Sequence, residues 1–315
     1  MTTSDVTPSI SRNPVTRRIA LGAALLPAFA ALGGCTSPLP LNGQPPQRAD
    51  PAAAMRLRRS ADAHGYGAYR ELRDINIAYD GQWRPLIGKI QPEIVDASYR
   101  VSSQERLMPS LGINAQLYQG PGGTKKVLWK RVSGGEPGMG DIAVWRNGNP
   151  ATDAPTLDAS ALVAEAYKLF LLGPLWLAGR DVSPRMAGTE RVDGRLCDIV
   201  ELWLAPGLGR TPRDRVALCI DREDDITRRM RFTLEGFAGT QGAVAEVDTF
   251  EHARHFGVLW PMRSFERVLH PIALPAHDWR IVGLDVNRGY GAQALQGPLL
   301  EGAAAAPAAK LTAVA

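Results

Sequence analysis

At 315 residues, with 45% hydrophobic and 22% charged residues, the chain can form one large domain or two small ones. Its composition excludes collagen-like, wholly disordered and multi-spanning membrane classes. The formal charge of +4 falls to an excess of two once the first 34 residues, with Arg12, Arg17, Arg18 and Asp5, are set aside. So small and scattered an excess builds no phosphate-binding stripe, and nucleic acid is not an expected partner.

A polar leader ends in Arg17 and Arg18 and runs into the apolar stretch Ile19 to Leu32, which Pro27 interrupts. About 14 residues are too few to span a bilayer, which takes roughly 20, and the layout is that of a secretory signal. The stretch closes on Leu32, Gly33, Gly34 and Cys35. This ending is similar to a bacterial lipobox, which implies a signal peptide over 1–34, cleavage before Cys35 and diacylglycerol on its thiol. Thr16 to Leu21 also resembles a twin-arginine export motif, with Ala20 where that motif favours Phe, so both the general and the twin-arginine export routes stay open. Thr36 rather than an aspartate follows the cysteine, which under the lipobox reading favours the outer membrane, facing the periplasm. Palmitate-type chains on Cys35 would hold the protein at about 0.8 kcal/mol per buried methylene. The membrane is thus one expected partner.

Residues 35–49 read as the lipidated cysteine and a proline-rich extended tether, with prolines at 38, 40, 45 and 46. A single domain is expected over 50–300 and a disordered tail over 301–315. Asp50 followed by Pro51 is an N-cap and first-turn signature, and the helix it starts continues to Gly65. Arg56, Arg58 and Arg59 on it read as a solvated face, or as a face toward anionic headgroups.

From Glu71 the period changes to two: Ile75, Ile77 and Tyr79 fall on one face, Asp74, Asn76 and Asp80 on the other, and Asp80-Gly81 reads as a turn. Similar alternation surrounds Trp129 and returns in GRLCDIVELWL, RVALCID and RRMRFTLEGF, the last with Met230, Phe232 and Leu234 inward. It appears again in WPMRSFERVL and in WRIVGLDVN, where Val282, Leu284 and Val286 point inward. An antiparallel sheet with one covered face is the expectation. Between these strands, TLDASALVAEAYKLFLLG is apolar nearly all round, with Thr156 or Asp158 as N-cap and a stop at Gly173-Pro174. Such a helix is either deeply buried or covers an apolar cavity.

The order of helix, strands, apolar helix and second strand meander resembles the LolA/LolB-like half-barrel. The resemblance lies mainly in RVDGRLCDIVELWL, RVALCIDREDDITRRMRF, VDTFEHARHFGVLWPMRSF and WRIVGLDVN, and extends to HGYGAYRELRDINIAY. It implies an α+β, mainly antiparallel β fold, in which a curved sheet wraps around apolar helices and encloses a cavity for acyl chains. Candidate walls of that cavity are Leu169, Phe170, Leu172, Leu175, Trp176, Trp129, Phe232 and Leu284.

No nucleophile elbow, phosphate loop, dinucleotide fingerprint, HExxH helix or paired CxxC occurs, so no catalytic residue, cofactor or metal site is expected. His252 and His255 lie three apart on a strand, where they face opposite ways. The acidic run Asp221, Glu223, Asp224, Asp225 reads as a solvated hairpin turn. Cys197 and Cys219 are symmetric about Leu208. Strands paired about that centre would set them opposite each other, where a disulfide would stabilise by about 3 kcal/mol; a slip in register leaves two buried free thiols instead. The function expected is a non-enzymatic envelope lipoprotein that binds a lipid or acyl chain. A ligand-free envelope scaffold with an unidentified protein partner is the alternative, and a periplasmic hydrolase a further one.

Overall fold

The computed structural model describes residues 50–131 and 140–300 together with positions 39, 44–46 and 48. The segments expected to be a signal peptide (1–34) and a tail (301–315), and Cys35 with most of the expected tether, lie outside the described residues.

Six strands form the first arm of the fold: β1 (Ile75–Trp83), β2 (Ser102–Met108), β3 (Ile113–Gly120), β4 (Gly123–Arg131), β5 (Gly140–Arg146) and β6 (Asn149–Ala151). Seven form the second: β7 (Arg185–Val192), β8 (Arg195–Leu204), β9 (Asp214–Asp221), β10 (Thr227–Thr233), β11 (Val244–His255), β12 (Val258–His270) and β13 (Leu274–Val286). All join one antiparallel curved sheet, ordered β6-β5-β4-β3-β2-β1-β13-β12-β11-β10-β9-β8-β7. Each strand pairs with its sequence neighbour, apart from the β1–β13 pairing that joins the arms and the break between β6 and β7.

That order places β6 and β7 on the two free edges, so the chain between them must cross the sheet. It does so as α5 (Ala154–Leu172) and the single turn α6 (Pro174–Leu177). Asp153 caps α5 by accepting from the Thr156 backbone N–H at 2.9 Å, one turn upstream of the expected caps, and Gly173 at φ +42 ends it. α5 packs on β3, β4 and β5 of one arm and on β12 of the other. Fifteen of its nineteen residues are buried, which accounts for its lack of a polar face. The expected curved antiparallel sheet around an apolar helix is the arrangement found.

Several local expectations are corrected. Asp80-Gly81 is not a turn: β1 runs on to Trp83, and Gly81 serves close packing, since a Cβ there would stand 2.8 Å from the Trp279 Cβ. Val282 is 46% exposed, because a bulge opposite Ala78 and Tyr79 pairs Tyr79 with Ile281 and Ala78 with Gly283. Leu284 returns to the inner face opposite Ile77.

The first helix, α1 (Pro51–Ala63), which the short α2 (Tyr66–Arg70) follows, is capped by Asp50 as expected, but Arg56 is not solvated. It is 7% exposed, reaches Asp198 at 3.0 Å and the Asp221 carbonyl at 2.6 Å, and pairs with Asp225. The acidic turn is correspondingly an ionic hub: buried Asp221 holds Arg195 at 3.0 Å and Arg228 at 3.2 Å.

Of the two cysteine readings, the free thiols are the one found. β8 and β9 pair Cys197 with Asp221 and Ile199 with Cys219, so the hairpin is centred on Gly209 rather than Leu208. The thiols are therefore offset along the ladder, and both are free and buried. Burial pushes Cys197 up to about 11.

Candidate functional site

The residues expected to wall a cavity are core. Leu169, Phe170, Leu172, Leu175, Phe232 and Leu284 belong to one buried cluster, in which the Phe170 and Phe232 rings lie 5.4 Å apart. Trp129 is not with them: it packs with Tyr118, Val127 and Val144 against Ala161 and Ala164 of α5. Trp176 is partly buried, with Lys168 Nζ at 4.3 Å and the Arg180 guanidinium at 4.7 Å from its ring centre.

Where α5 ends, Phe170, Leu172, Gly173 and Met230 surround a void of about 10 Å³, room for about one water molecule. His64, Thr249 and His252 close it on the outer side. Thr249 and His252 also line a surface groove of about 460 Å³. Val192, Ile226, Phe250 and Leu259 supply its apolar lining, and Asp193, Arg195, Asp224, Arg228 and Glu251 its polar rim. Strand ends and turns assemble it: Asp193 takes φ +47 in the β7–β8 turn, and Glu251 φ +51 at an irregularity in β11. The rim arginines are already engaged, Arg195 with Asp221, Glu223 and Asp224, and Arg228 with Asp221 and Asp224.

Of two neighbouring imidazoles, His252 lines the groove and His64 lies behind it, against the small void. His64 and His252 meet edge to face, with ring centres 6.3 Å apart. Burial holds His64 down at about 4, and burial with the neighbouring His64 holds His252 down at about 3. Neutral His252 thus accepts apolar matter beside it without leaving a buried charge unpaired. Among the described residues, no group of three or more His, Cys, Asp or Glu is placed to hold a metal ion, and no hydrogen bond joins His252 to a carboxylate. The groove residues were missed in the sequence because they come from separate turns. Ile226, an aliphatic side chain at the end of an acidic turn, is the one visible signal.

The far end of the interior is polar. Between β1 and β2 lie two short helices, α3 (Pro85–Ile90) and α4 (Pro92–Val95). The Arg100 guanidinium donates to the Ile94 carbonyl and, at 2.9 Å, to the Tyr167 hydroxyl, and lies 4.9 Å from the Trp83 ring centre. Trp83 in turn stacks on His277 at 4.0 Å. Burial pushes Glu105 up to about 8 and Glu266 up to about 7, against the opposing pull of Arg100. The concave side therefore carries an apolar end at the close of α5 and a hydrogen-bonded polar end under α4.

No known family's sequence profile and no curated protein matches this chain. Among solved structures, the chain is similar to a DUF1329 family protein from Desulfovibrio piger, at 13% identity and TM-score 0.49, over 78% of this chain and 98% of that one. It is similar to a LolA superfamily protein from Nitrosomonas europaea at 10% identity and TM-score 0.48, over 78% and 97%. It is similar also to the lipoprotein LppX from Mycobacterium tuberculosis, at 16% identity and TM-score 0.25, over 60% and 91%. The half-barrel assignment rests on the strand order and register of this chain.

Proposed function

We propose that the chain is an envelope lipoprotein, lipidated at Cys35 and held at the outer membrane facing the periplasm, that binds a lipid or acyl chain without catalysing a reaction. The observation that carries this reading is the groove beside the end of α5. At about 460 Å³ it has the size of a small-molecule site, with an apolar lining of Val192, Ile226, Phe250 and Leu259, one histidine, His252, and a polar rim. The ligand lies in the groove, against Val192, Ile226, Phe250 and Leu259, while Leu169, Phe170, Leu172, Leu175, Phe232 and Leu284 are packed core. Affinity then comes from apolar burial at about 25 cal/mol per Å².

Titration with a fluorescent polyene fatty acid tests the reading. The wild-type chain should bind saturably, and Ile226→Lys should weaken binding at least tenfold with little change in melting temperature, because Ile226 is half-buried. Equal binding by wild type and variant removes the groove from the account. No binding by the wild type favours the scaffold reading, which the tightly filled interior supports.

A further inference from the structure

We propose that the face of the sheet opposite α5, centred on β9, lies against the bilayer surface and meets anionic phospholipid headgroups, while the concave face points into the periplasm. The proposal rests on the lipidation of Cys35.

Its starting point is Leu39, expected in an extended tether. Leu39 is 2% exposed and packs on Ala217 of β9 and Val244 of β11, with Ile199 of β8 beside it. These three residues point away from the core: their neighbours Val216, Leu218, Val200 and Ala245 are the ones buried with α5. Leu39 is thus pinned to the back of the sheet. Only three residues separate Leu39 from Cys35, and the four residue steps between them span at most about 14 Å. An acyl chain on Cys35 cannot enter a bilayer without bringing this face to within about that distance of it.

The chemistry of the face fits such a neighbour. Across the strands, Ala217 pairs with Glu201 and with Arg231, Arg231 with Glu246, and Glu246 with Arg267. Ion pairs follow this row, Arg231 to Glu246 at 2.6 Å and Arg267 to Glu246 at 2.9 Å, and the next row joins Arg229 and Arg267 to Asp248. In these pairs the carboxylates lie beneath: the side chains of Glu246 and Asp248 are 5% and 6% exposed, against 16% for Arg231 and 27% for Arg267. Glu190 of β7, its side chain 22% exposed, pairs with Arg229 at 3.1 Å and Arg231 at 2.7 Å, so the most open guanidinium of these rows is that of Arg267, suited to phosphate oxygens. Because each arginine already has a carboxylate partner, the attraction orients the domain and the acyl chains anchor it.

The test uses the full lipoprotein in vesicles of phosphatidylethanolamine and phosphatidylglycerol that carry a quencher at headgroup level. One fluorophore is placed on the back of the sheet through Arg267→Cys, and another on the far side through Met55→Cys, at an exposed position of α1. Quenching at position 267 should exceed that at position 55 at least twofold, and Leu39→Asp, which frees the tether, should bring the two together. Equal quenching in the protein with native Leu39, or stronger quenching at 55, overturns the proposal. Intact mass and vesicle flotation separate the two failures. A chain without acyl groups refutes lipidation, and the orientation with it; an acylated, floating chain with equal quenching refutes the orientation alone.

Discussion

Glu165 sits in the middle of α5 and is 0% exposed, so replacing it by glutamine tests how the crossing helix is held. Its carboxylate pairs with Lys168 at 2.7 Å and with Arg131 of β4, and accepts from the Gly209 backbone N–H of the β8–β9 loop at 3.2 Å. Arg131 also donates to the Gly207 carbonyl at 3.0 Å. One carboxylate thereby ties the helix to both arms of the half-barrel. Burial alone would raise its pKa, but Lys168 and Arg131 more than offset that and hold it at about 2, against an ordinary 4.5. The gap is worth about 3 kcal/mol at neutral pH, in line with the roughly 3–5 kcal/mol lost when one partner of a buried pair is removed. For a domain of this size the melting temperature should fall by about 6–12 °C. Because the folded pKa is depressed, this stabilisation is present above pH ~4.5 and is lost as pH falls toward the folded value. Thermal and urea unfolding of wild type and Glu165→Gln from pH 7 to pH 3 should show a gap that is full at neutral pH and narrows below about pH 4.5. A difference under about 1 kcal/mol at pH 7, or a gap unchanged at pH 3, would refute the reasoning.

Glu105 should act in the opposite sense. Burial raises its pKa to about 8, so the fold favours its protonated form and stability falls as pH rises from about 4.5 through 8. Glu105→Gln keeps the shape and an acceptor for Gln116, and should gain on the order of 1–3 kcal/mol at pH 9 by removing an uncompensated buried charge; a less stable variant at that pH contradicts this. Phe170→Ala should destabilise by about 3–5 kcal/mol through a core cavity yet leave fatty-acid affinity within a few-fold of wild type at temperatures where it is folded. Loss of binding by the folded variant would return the ligand to the core. Cys197 and Cys219 should resist alkylation in the native chain and react fully in denaturant without reductant, with mass spectrometry counting the modified thiols; a 2 Da deficit and no reaction would reveal a disulfide.

The second arm was legible in the sequence because its inner face is apolar. Val200, Leu202, Val216, Leu218, Met230 and Phe232 recur at every second position of β8, β9 and β10, and on β10 they alternate with outward Arg229 and Arg231, so the period of two is plain there. The first arm was mostly not. Its inner face carries Glu105, Asn114, Gln116 and Lys125, satisfied by tertiary partners: Asn114 donates to the Ala164 carbonyl of α5 at 2.8 Å, Gln116 to Glu105 at 2.7 Å, and Lys125 to Asp96 at 2.6 Å. Polar residues on both faces erase the alternation that marks a half-buried strand. The cysteine register turned on a hairpin centre one residue away from the symmetric one, a difference that period-two patterning near a loop cannot resolve. The docking of Leu39 was hidden because a proline-rich stretch reads as extended whether or not one side chain is buried. The groove belongs to no single segment and became visible only when three turns and the end of β11 met.

Native mass spectrometry of the chain from Ser37 onward, exported to the periplasm and purified without detergent, followed by lipid analysis of an organic extract, tests the central claim most directly. Binding in the groove predicts near-stoichiometric bound lipid or fatty acid in the wild type and its loss in Ile226→Lys. A wild-type chain that arrives empty and also takes up no added fatty acid contradicts the claim.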